Sequence, residues 1–267
     1  MQHRPITGSI SNALDNVPVL FLAVFMQPAF HFAQTADLRS IQDRLAAQFG
    51  RIRVEERFDP VTQFVGSFLG SRTYDQVSRN ALAKLMRRYP VWDALADAPE
   101  ADIEAVITGV KYPEKKAPDL KRALRKIRAL MGAIDLDFLA DWPVEEGLSW
   151  LEQIHGVGRK IAAATLNFSS LRRPAFVVDT HVLRVLRRFG FVGANAVAEN
   201  AYDAVMAAAD GFDADDLFEL HWHLKGLGQE ACSQERPRCV SCPLADICLQ
   251  RVEEGARMVM RVSGCVA

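Results

Sequence analysis

The residues best able to do chemistry are four cysteines near the C-terminus, Cys232, Cys239, Cys242 and Cys248, which lie within 17 positions. The first 231 residues contain no cysteine. This clustering is typical of a metal site in a reducing compartment, not of a secreted disulfide framework. Structural zinc usually takes two closely spaced cysteine pairs, whereas here one pair is close and the outer gaps are six and five residues. The spacing therefore favours a bulkier iron–sulfur cluster over zinc, and Cys265 is predicted to be free.

A glycine turn is the second feature with chemical potential. An apolar helix, the turn Gly156-Val157-Gly158 and a further helix follow one another between Leu151 and Ala164. Glycines at this spacing allow a tight turn at positive φ. The turn presents backbone N–H groups at the start of a helix, where partial positive charge suits a phosphate. Because the turn follows a helix and not a strand, a nucleotide cofactor is not expected, and the turn alone also fits a plain helical hairpin.

A carboxylate is predicted at the start of a later helix. Asp179 follows the short apolar run Phe176-Val-Val and precedes Thr180-His181. Aspartate is a good helix N-cap that contributes about 1 kcal/mol. By itself this motif indicates only a cap.

Composition sets the class of protein. The chain has 267 residues, 49% of them hydrophobic, which suffices for one large or two small globular domains and excludes a disordered or collagen-like protein. The net charge is −1, but the charges are sorted along the chain. Residues 111–190 carry 15 basic and 9 acidic side chains, whereas residues 91–110 and 191–220 carry acidic ones only. Such sorting can present a basic face to a polyanion, although solvated helix faces also cluster charge.

The apolar periodicity is helical almost throughout, so the predicted fold class is all-α. Helices are expected at about 38–49, 61–69, 77–89, 91–98, 101–108, 120–130, on both sides of the glycine turn, and at 180–189, 196–209 and 213–228. The extended run Ala175–Val178 is too short to build a sheet. Residues 1–36 are predicted to be an N-terminal extension, because their apolar run at 17–26 is too short to span a bilayer. Export is not expected.

Taken in order, these motifs resemble the endonuclease III family of DNA glycosylase/AP lyases. The hairpin reads Gly156-Val-Gly-Arg-Lys160, Asp179 follows 19 residues later, and the four-cysteine loop comes last. The segments Ser71-Arg-Thr-Tyr-Asp75 and Arg236-Pro-Arg-Cys239 also match family runs. The resemblance covers roughly residues 37–250.

The resemblance implies a two-domain helix-hairpin-helix glycosylase fold. A six-helix domain at 59–173 would carry the hairpin, and residues 37–58 plus 174–267 would form a domain in which the four cysteines hold a [4Fe–4S] cluster. Lys160 would be the nucleophile, and Asp179 would stabilise positive charge on the sugar. The residues implied to bind DNA are Gly156, Val157, Gly158, Arg159, Arg72, Arg236 and Arg238.

The implied function is base excision repair. A bifunctional glycosylase/AP lyase would remove damaged bases, by family default oxidised pyrimidines, from double-stranded DNA by a lysine Schiff base and β-elimination. We expect a monomer in the cytoplasm, associated with the nucleoid, and no membrane partner.

Two departures and two alternatives accompany this prediction. Arg72 stands where the family commonly has Gln, and His155 where Pro is usual. A MutY-type adenine glycosylase would lack the hairpin lysine and carry Glu at the position of Ser67. A non-catalytic iron–sulfur DNA-binding module would need neither Lys160 nor Asp179.

Overall fold

The computed structural model describes residues 38–251, so the predicted extension at 1–36 and Cys265 lie outside the described residues. Within this range the chain forms α-helices and short 3-10 turns and no strand, which confirms the all-α class there. None of these helices is long and apolar enough to cross a membrane. The helices are α1 (Leu38–Phe49), α2 (Pro60–Gly70), α3 (Asp75–Arg88), α4 (Trp92–Asp97), α5 (Glu100–Val106), α6 (Pro113–Met131), α7 (Val144–Glu152), α8 (Arg159–Phe168), α9 (Thr180–Phe189), α10 (Ala198–Ala208) and α11 (Ala214–Glu230).

Local side chains explain several helix ends. The Asp59 carboxylate accepts the Thr62 N–H at 2.9 Å, and Pro60 fills the first position of α2, where no N–H is needed. Gly50, at φ +81°, ends α1 as predicted. Helix α6 begins seven residues before its predicted start, because Pro113 opens it and Pro118 is accommodated inside it. The segment 59–173 holds α2 to α8, among them the two short helices expected at 91–98 and 101–108, and its assignment as one domain stays a prediction.

Helix α2 is the centre of the first half of the fold. It packs against α8, α3 and α6, and its side chains Phe64, Val65 and Leu69 are fully buried. Burial of side chains of this size contributes about 1.5–3 kcal/mol each relative to exposure. This packing sets the C-terminus of α2 against the start of α8, where Lys160 lies.

Helix α11 organises the second half. It packs against α9, α8 and the N-terminal helix α1. Gln42 of α1 donates to the buried Glu219 of α11 at 2.9 Å, and Arg39 pairs with Asp216 at 2.8 Å. Helix α1 therefore joins the C-terminal half, although the division into two domains stays a prediction.

Part of the sorted charge is neutralised inside the chain. Arg128 of α6 pairs with Asp93 and Asp97 of the acidic segment, and Arg125 lies 3.5 Å from Asp97. The basic face of α6 thus serves partly to hold α4, and the charge pattern alone overstates the surface available to a polyanion.

Candidate active site

The hairpin consists of α7, a turn and α8. Gly156 lies at φ +83°, and a Cβ added there would lie 3.0 Å from Phe68 Cζ, so this position requires glycine. Gly158 caps α8 in an extended conformation, at φ −108°, with open space around it. The prediction of positive φ is therefore wrong for Gly158, because a helix N-cap takes extended backbone. Val157 is buried, and its N–H donates to the Ile154 carbonyl at 3.0 Å.

Lys160 lies in the first turn of α8 and reaches the end of α2. A Cβ added at Gly70 would lie 3.9 Å from Lys160 Nζ. The residue is half-buried. Burial lowers the pKa of Lys160, the charge of Lys225 lowers it further, and Asp179 and Asp75 oppose the shift. The net effect is a lowered pKa, which increases the share of the neutral, nucleophilic amine.

Asp179 caps α9, as predicted. One carboxylate oxygen accepts the N–H groups of His181 at 2.8 Å and Val182 at 2.9 Å, and the other faces Lys225 Nζ at 3.8 Å. Burial works to raise the pKa of Asp179, but the Val182 N–H and Lys225 outweigh it and hold the pKa below its usual range. The cap therefore also supplies a carboxylate that stays ionised next to the lysine.

Lys225 is a residue that sequence reasoning missed. Its ammonium donates to Asp75 at 2.7 Å and lies 4.7 Å from the centre of the Trp222 ring. No motif surrounds Lys225, since it belongs to the otherwise ordinary helix predicted at 213–228. The available signal was its place on the apolar face of that helix, between Leu224 and Leu227.

His221 is a second missed residue. It is buried, and its Nδ1 lies 2.7 Å from the Val177 carbonyl oxygen. Burial lowers its pKa to about 4, while Asp179 opposes the shift. A neutral imidazole must donate its single N–H to that carbonyl, which leaves Nε2 as an acceptor.

The loop after α2 presents Arg72. Arg72 is exposed at φ +56°, a left-handed conformation that costs a non-glycine residue about 1 kcal/mol or more. Lys116 holds the loop in place by donating to the carbonyls of Leu69 at 2.7 Å and Ser71 at 2.6 Å and to the Thr73 hydroxyl at 2.9 Å. Burial lowers the pKa of Lys116 to about 8, and Lys160, when protonated, lowers it further.

The other arginines predicted to bind DNA differ in whether their side chains already have partners within the protein. Arg159 pairs with Glu152 at 2.5 Å and lies over the Tyr202 ring, so its guanidinium already has internal partners. Arg236 and Arg238 are both exposed, but Arg238 donates to the Glu230 carbonyl. These DNA contacts stay predictions, and the geometry favours Arg72 and Arg236 over the other two.

The four cysteines predicted to hold a cluster are free, half-buried thiols in the loop after α11. Burial raises the pKa of the Cys242 and Cys248 thiols, and the neighbouring cysteines raise it further. Arg188 Nη1 lies 3.6 Å from Cys232 Sγ. Within residues 38–251 no three His, Cys, Asp or Glu side chains are placed to hold a metal ion, so the iron–sulfur cluster stays a prediction.

Comparison with known proteins decides the family. The family model for HhH-GPD superfamily base excision DNA repair proteins matches residues 65–210, more than half of the chain. The chain belongs to this superfamily. Endonuclease III-like protein 1 of Gallus gallus is 30% identical over 184 residues, which cover 67% of this chain and 60% of that protein. Endonuclease III of Sulfolobus acidocaldarius is 28% identical over 151 residues, 55% of this chain and 63% of that protein.

A solved structure shares the fold of this superfamily member. The trapped covalent intermediate of endonuclease III with DNA matches with a TM-score of 0.66 and 22% identity, over 81% of this chain and 96% of that one. The predicted resemblance to the endonuclease III family is confirmed. The chain spans less than two thirds of the length of the curated relatives that it matches first.

Proposed function

We propose that this protein is a bifunctional DNA glycosylase/AP lyase of base excision repair that removes damaged bases, by preference oxidised pyrimidines, from double-stranded DNA. The observation that carries the proposal is the placement of Lys160 and Asp179 in one site, close enough for Asp179 to influence the pKa of Lys160 although the two form no ion pair. A half-buried amine with a lowered pKa follows the glycine turn directly, and the carboxylate of Asp179 interacts with it electrostatically. Perturbed groups of this kind mark functional sites.

The chemistry begins with a base turned out of the helix stack, which costs a few kcal/mol and least for a damaged base. The Lys160 amine then bonds to the sugar C1′, and the bond from C1′ to the base breaks, so the base leaves with the electron pair and takes up a proton. The sugar ring opens to an imine on Lys160. Loss of a C2′ proton then breaks the C3′–O bond and cuts the strand.

Asp179 would act by electrostatic stabilisation of the sugar. Its ionised carboxylate stabilises the positive charge that develops on the sugar as the base leaves. The two N–H groups that it accepts fix its orientation. Its place at the start of α9 keeps it anionic, since a helix N-terminus favours negative charge.

The cysteine loop fits a [4Fe–4S] cluster by its chemistry. Cys232, Cys239, Cys242 and Cys248 would hold it, and Cys232 and Cys239 are close enough to Cys242 and Cys248 to raise the pKa of those two thiols. Arg188 lies beside Cys232, where positive charge suits a group bound by four thiolates. Such a cluster would keep the loop folded and Arg236 in position.

Two alternatives find less support. An adenine glycosylase would need a carboxylate near Ser67, but this side chain is buried in α2 and accepts from Gln63 at 2.9 Å. A non-catalytic DNA-binding module would have no reason to enclose Lys160 at a cost in charge solvation. The proposed partner is double-stranded DNA, which the protein would bind as a monomer. Its proposed location is the cytoplasm, in association with the nucleoid.

Borohydride trapping tests the function. Borohydride should reduce the imine and leave the wild-type protein covalently joined to abasic DNA and to DNA with an oxidised pyrimidine. Lys160→Gln should abolish trapping and strand cleavage while binding to an abasic analogue changes little. Lys126→Gln is the matched control, because Lys126 is exposed on α6. Undiminished trapping by Lys160→Gln would reject Lys160 as the nucleophile.

A further inference from the structure

Lys225 binds one carboxylate of the site and faces a second. Its Nζ lies 2.7 Å from Asp75 and 3.8 Å from Asp179, on the buried side of α11. Asp75 is the first residue of α3, directly after the loop that presents Arg72, whereas Asp179 caps α9. One ammonium group therefore links the start of α3 to the catalytic carboxylate.

Lys160, by contrast, has no partner for its charge. In the part of the chain that the structure describes, its amine forms no hydrogen bond and no ion pair within 4.0 Å. The titratable groups that interact with it come from four elements around α8. They are Lys225 and His221 of α11, Asp179 at the start of α9, Asp75 of α3 and Lys116 of α6.

The carboxylates and carbonyls around Lys160 face other lysines. Lys225 takes Asp75 and faces Asp179, and Lys116 takes the carbonyls of Leu69 and Ser71 at the end of α2. A protonated Lys160 would thus be enclosed between two ammonium groups without a counterion of its own. A neutral Lys160 needs no counterion.

We propose that Lys225 is a positioning residue of the lysine–carboxylate site: it takes both carboxylates as its own counterions and so leaves Lys160 a free amine. This inference rests on the proposed function, since it concerns the amine that forms the imine. It explains why the site can contain two carboxylates next to a lysine without locking that lysine as an ion pair. Without the Lys225 charge, Asp75 and Asp179 should act as counterions of Lys160, and Lys160 should then bind a proton more tightly.

The test is the pH profile of single-turnover borohydride trapping on abasic DNA. For Lys225→Met, the acidic limb of the trapping rate should move to higher pH by about one unit. The rate should therefore fall about tenfold at about pH 6.5 and recover to within about twofold of wild type at about pH 9. Lys225→Arg keeps the charge and should retain the wild-type profile. Circular dichroism and binding to an abasic analogue accompany each variant.

The outcomes separate this inference from the proposed function. Absence of trapping by the wild-type protein at every pH would reject the lyase itself. If the wild type is trapped, three results would overturn the role of Lys225 alone. The acidic limb of Lys225→Met could stay where it is, or its rate could fall by the same factor at every pH. The third result is a profile for Lys225→Arg that matches that of Lys225→Met. If Lys225→Met does not fold, Asp75→Asn takes its place. This variant removes an anion near Lys160 but keeps the Lys225 charge, so its limb should stay or move to lower pH, and a move to higher pH would contradict the inference.

Discussion

Among single residues, Gly156 is the one that the hairpin turn requires to be glycine. Its positive φ and the 3.0 Å approach of Phe68 to the position of a Cβ both oppose any side chain. Gly156→Ala should destabilise the protein by about 1–3 kcal/mol, because the added methyl overpacks the core and strains the backbone. Urea unfolding measures the change. Gly158→Ala is the matched control, since Gly158 is extended with open space around it, and its effect should be within about 1 kcal/mol. Equal losses in the two variants would reject this account of the turn.

Arg72 is the residue that should set the preference for the opposite base. It projects from a loop that Lys116 holds, in a backbone conformation kept at a cost. We expect its guanidinium to donate to the orphaned base opposite the lesion, and a bidentate arginine distinguishes guanine by about 1–3 kcal/mol. The wild type should therefore prefer lesions opposite guanine, and Arg72→Gln should flatten that preference while strand cleavage persists.

Single-turnover rates with all four opposite bases check this expectation. The competing role is phosphate binding, in which Arg72→Gln weakens binding to every opposite base alike and lowers the salt slope by about one. A uniform loss across the four bases would reject the base-reading role. Arg236→Gln is the comparison variant, because Arg236 is also exposed but lies in the cysteine loop.

Residues that belong to local motifs could be predicted from the sequence. Residues whose role depends on tertiary contacts in the core were missed. Asp179 was predictable as a cap because capping is local. Lys225 was not, because periodicity indicates which face of α11 is buried but not what faces its polar residue across the core. Of the two hairpin glycines, only Gly156 needs positive φ, a difference that depends on contact with Phe68, 88 residues earlier in the chain.

At the scale of elements, the junction of α1 and α11 depends on one buried carboxylate. Glu219 accepts from Gln42 at 2.9 Å, from Arg51 at 3.1 Å and from the Ile52 N–H at 2.7 Å. Burial works to raise the pKa of Glu219, but the Ile52 N–H and Arg51 outweigh it, so the pKa lies below its usual value. Since the unfolded chain holds this proton more tightly, Glu219 stabilises the fold above about pH 4.3, and the contribution is lost as the pH falls through the folded pKa.

Glu219→Gln should therefore cost about 1–3 kcal/mol at neutral pH, and the difference from wild type should shrink as the pH falls below about 4. Urea unfolding across this range measures both effects. Asp43→Asn is the control, because Asp43 also pairs with Arg51 but is exposed, and its effect should be within about 1 kcal/mol. A difference for Glu219→Gln that is independent of pH would contradict the argument.

The elements themselves were largely predictable, and their exceptions have local causes. Helices α1, α2 and α9 were predicted to within one residue, since Gly50, Asp59 and Asp179 mark their ends. The start of α6 was missed because Pro113 and Pro118 hid the apolar pattern before residue 120. The pairing of α1 with α11 was available only from the family resemblance, as no local signal spans that distance.

At the scale of the whole molecule, the cysteine loop predicts a coloured protein. Purified protein should be yellow-brown and contain about four iron atoms per chain. Cys239→Ser should lower the iron content, whereas Cys265→Ser should leave it unchanged because Cys265 lies outside the predicted set. Elemental analysis decides the matter. A colourless protein with one zinc per chain would reject the cluster.

The contact between α1 and α11 also has a consequence for biosynthesis. Arg39 and Asp216, which pair in the folded protein, are 177 positions apart in the chain. At a translation rate of about 5–20 residues per second, α1 leaves the ribosome on the order of ten to thirty seconds before the surface that it packs against. During that interval the apolar side chains of Leu38, Ile41 and Leu45, buried in the finished fold, have no native partner and are open to chaperones. A circularly permuted chain that places α1 after α11 would shorten this delay and should fold with less aggregation.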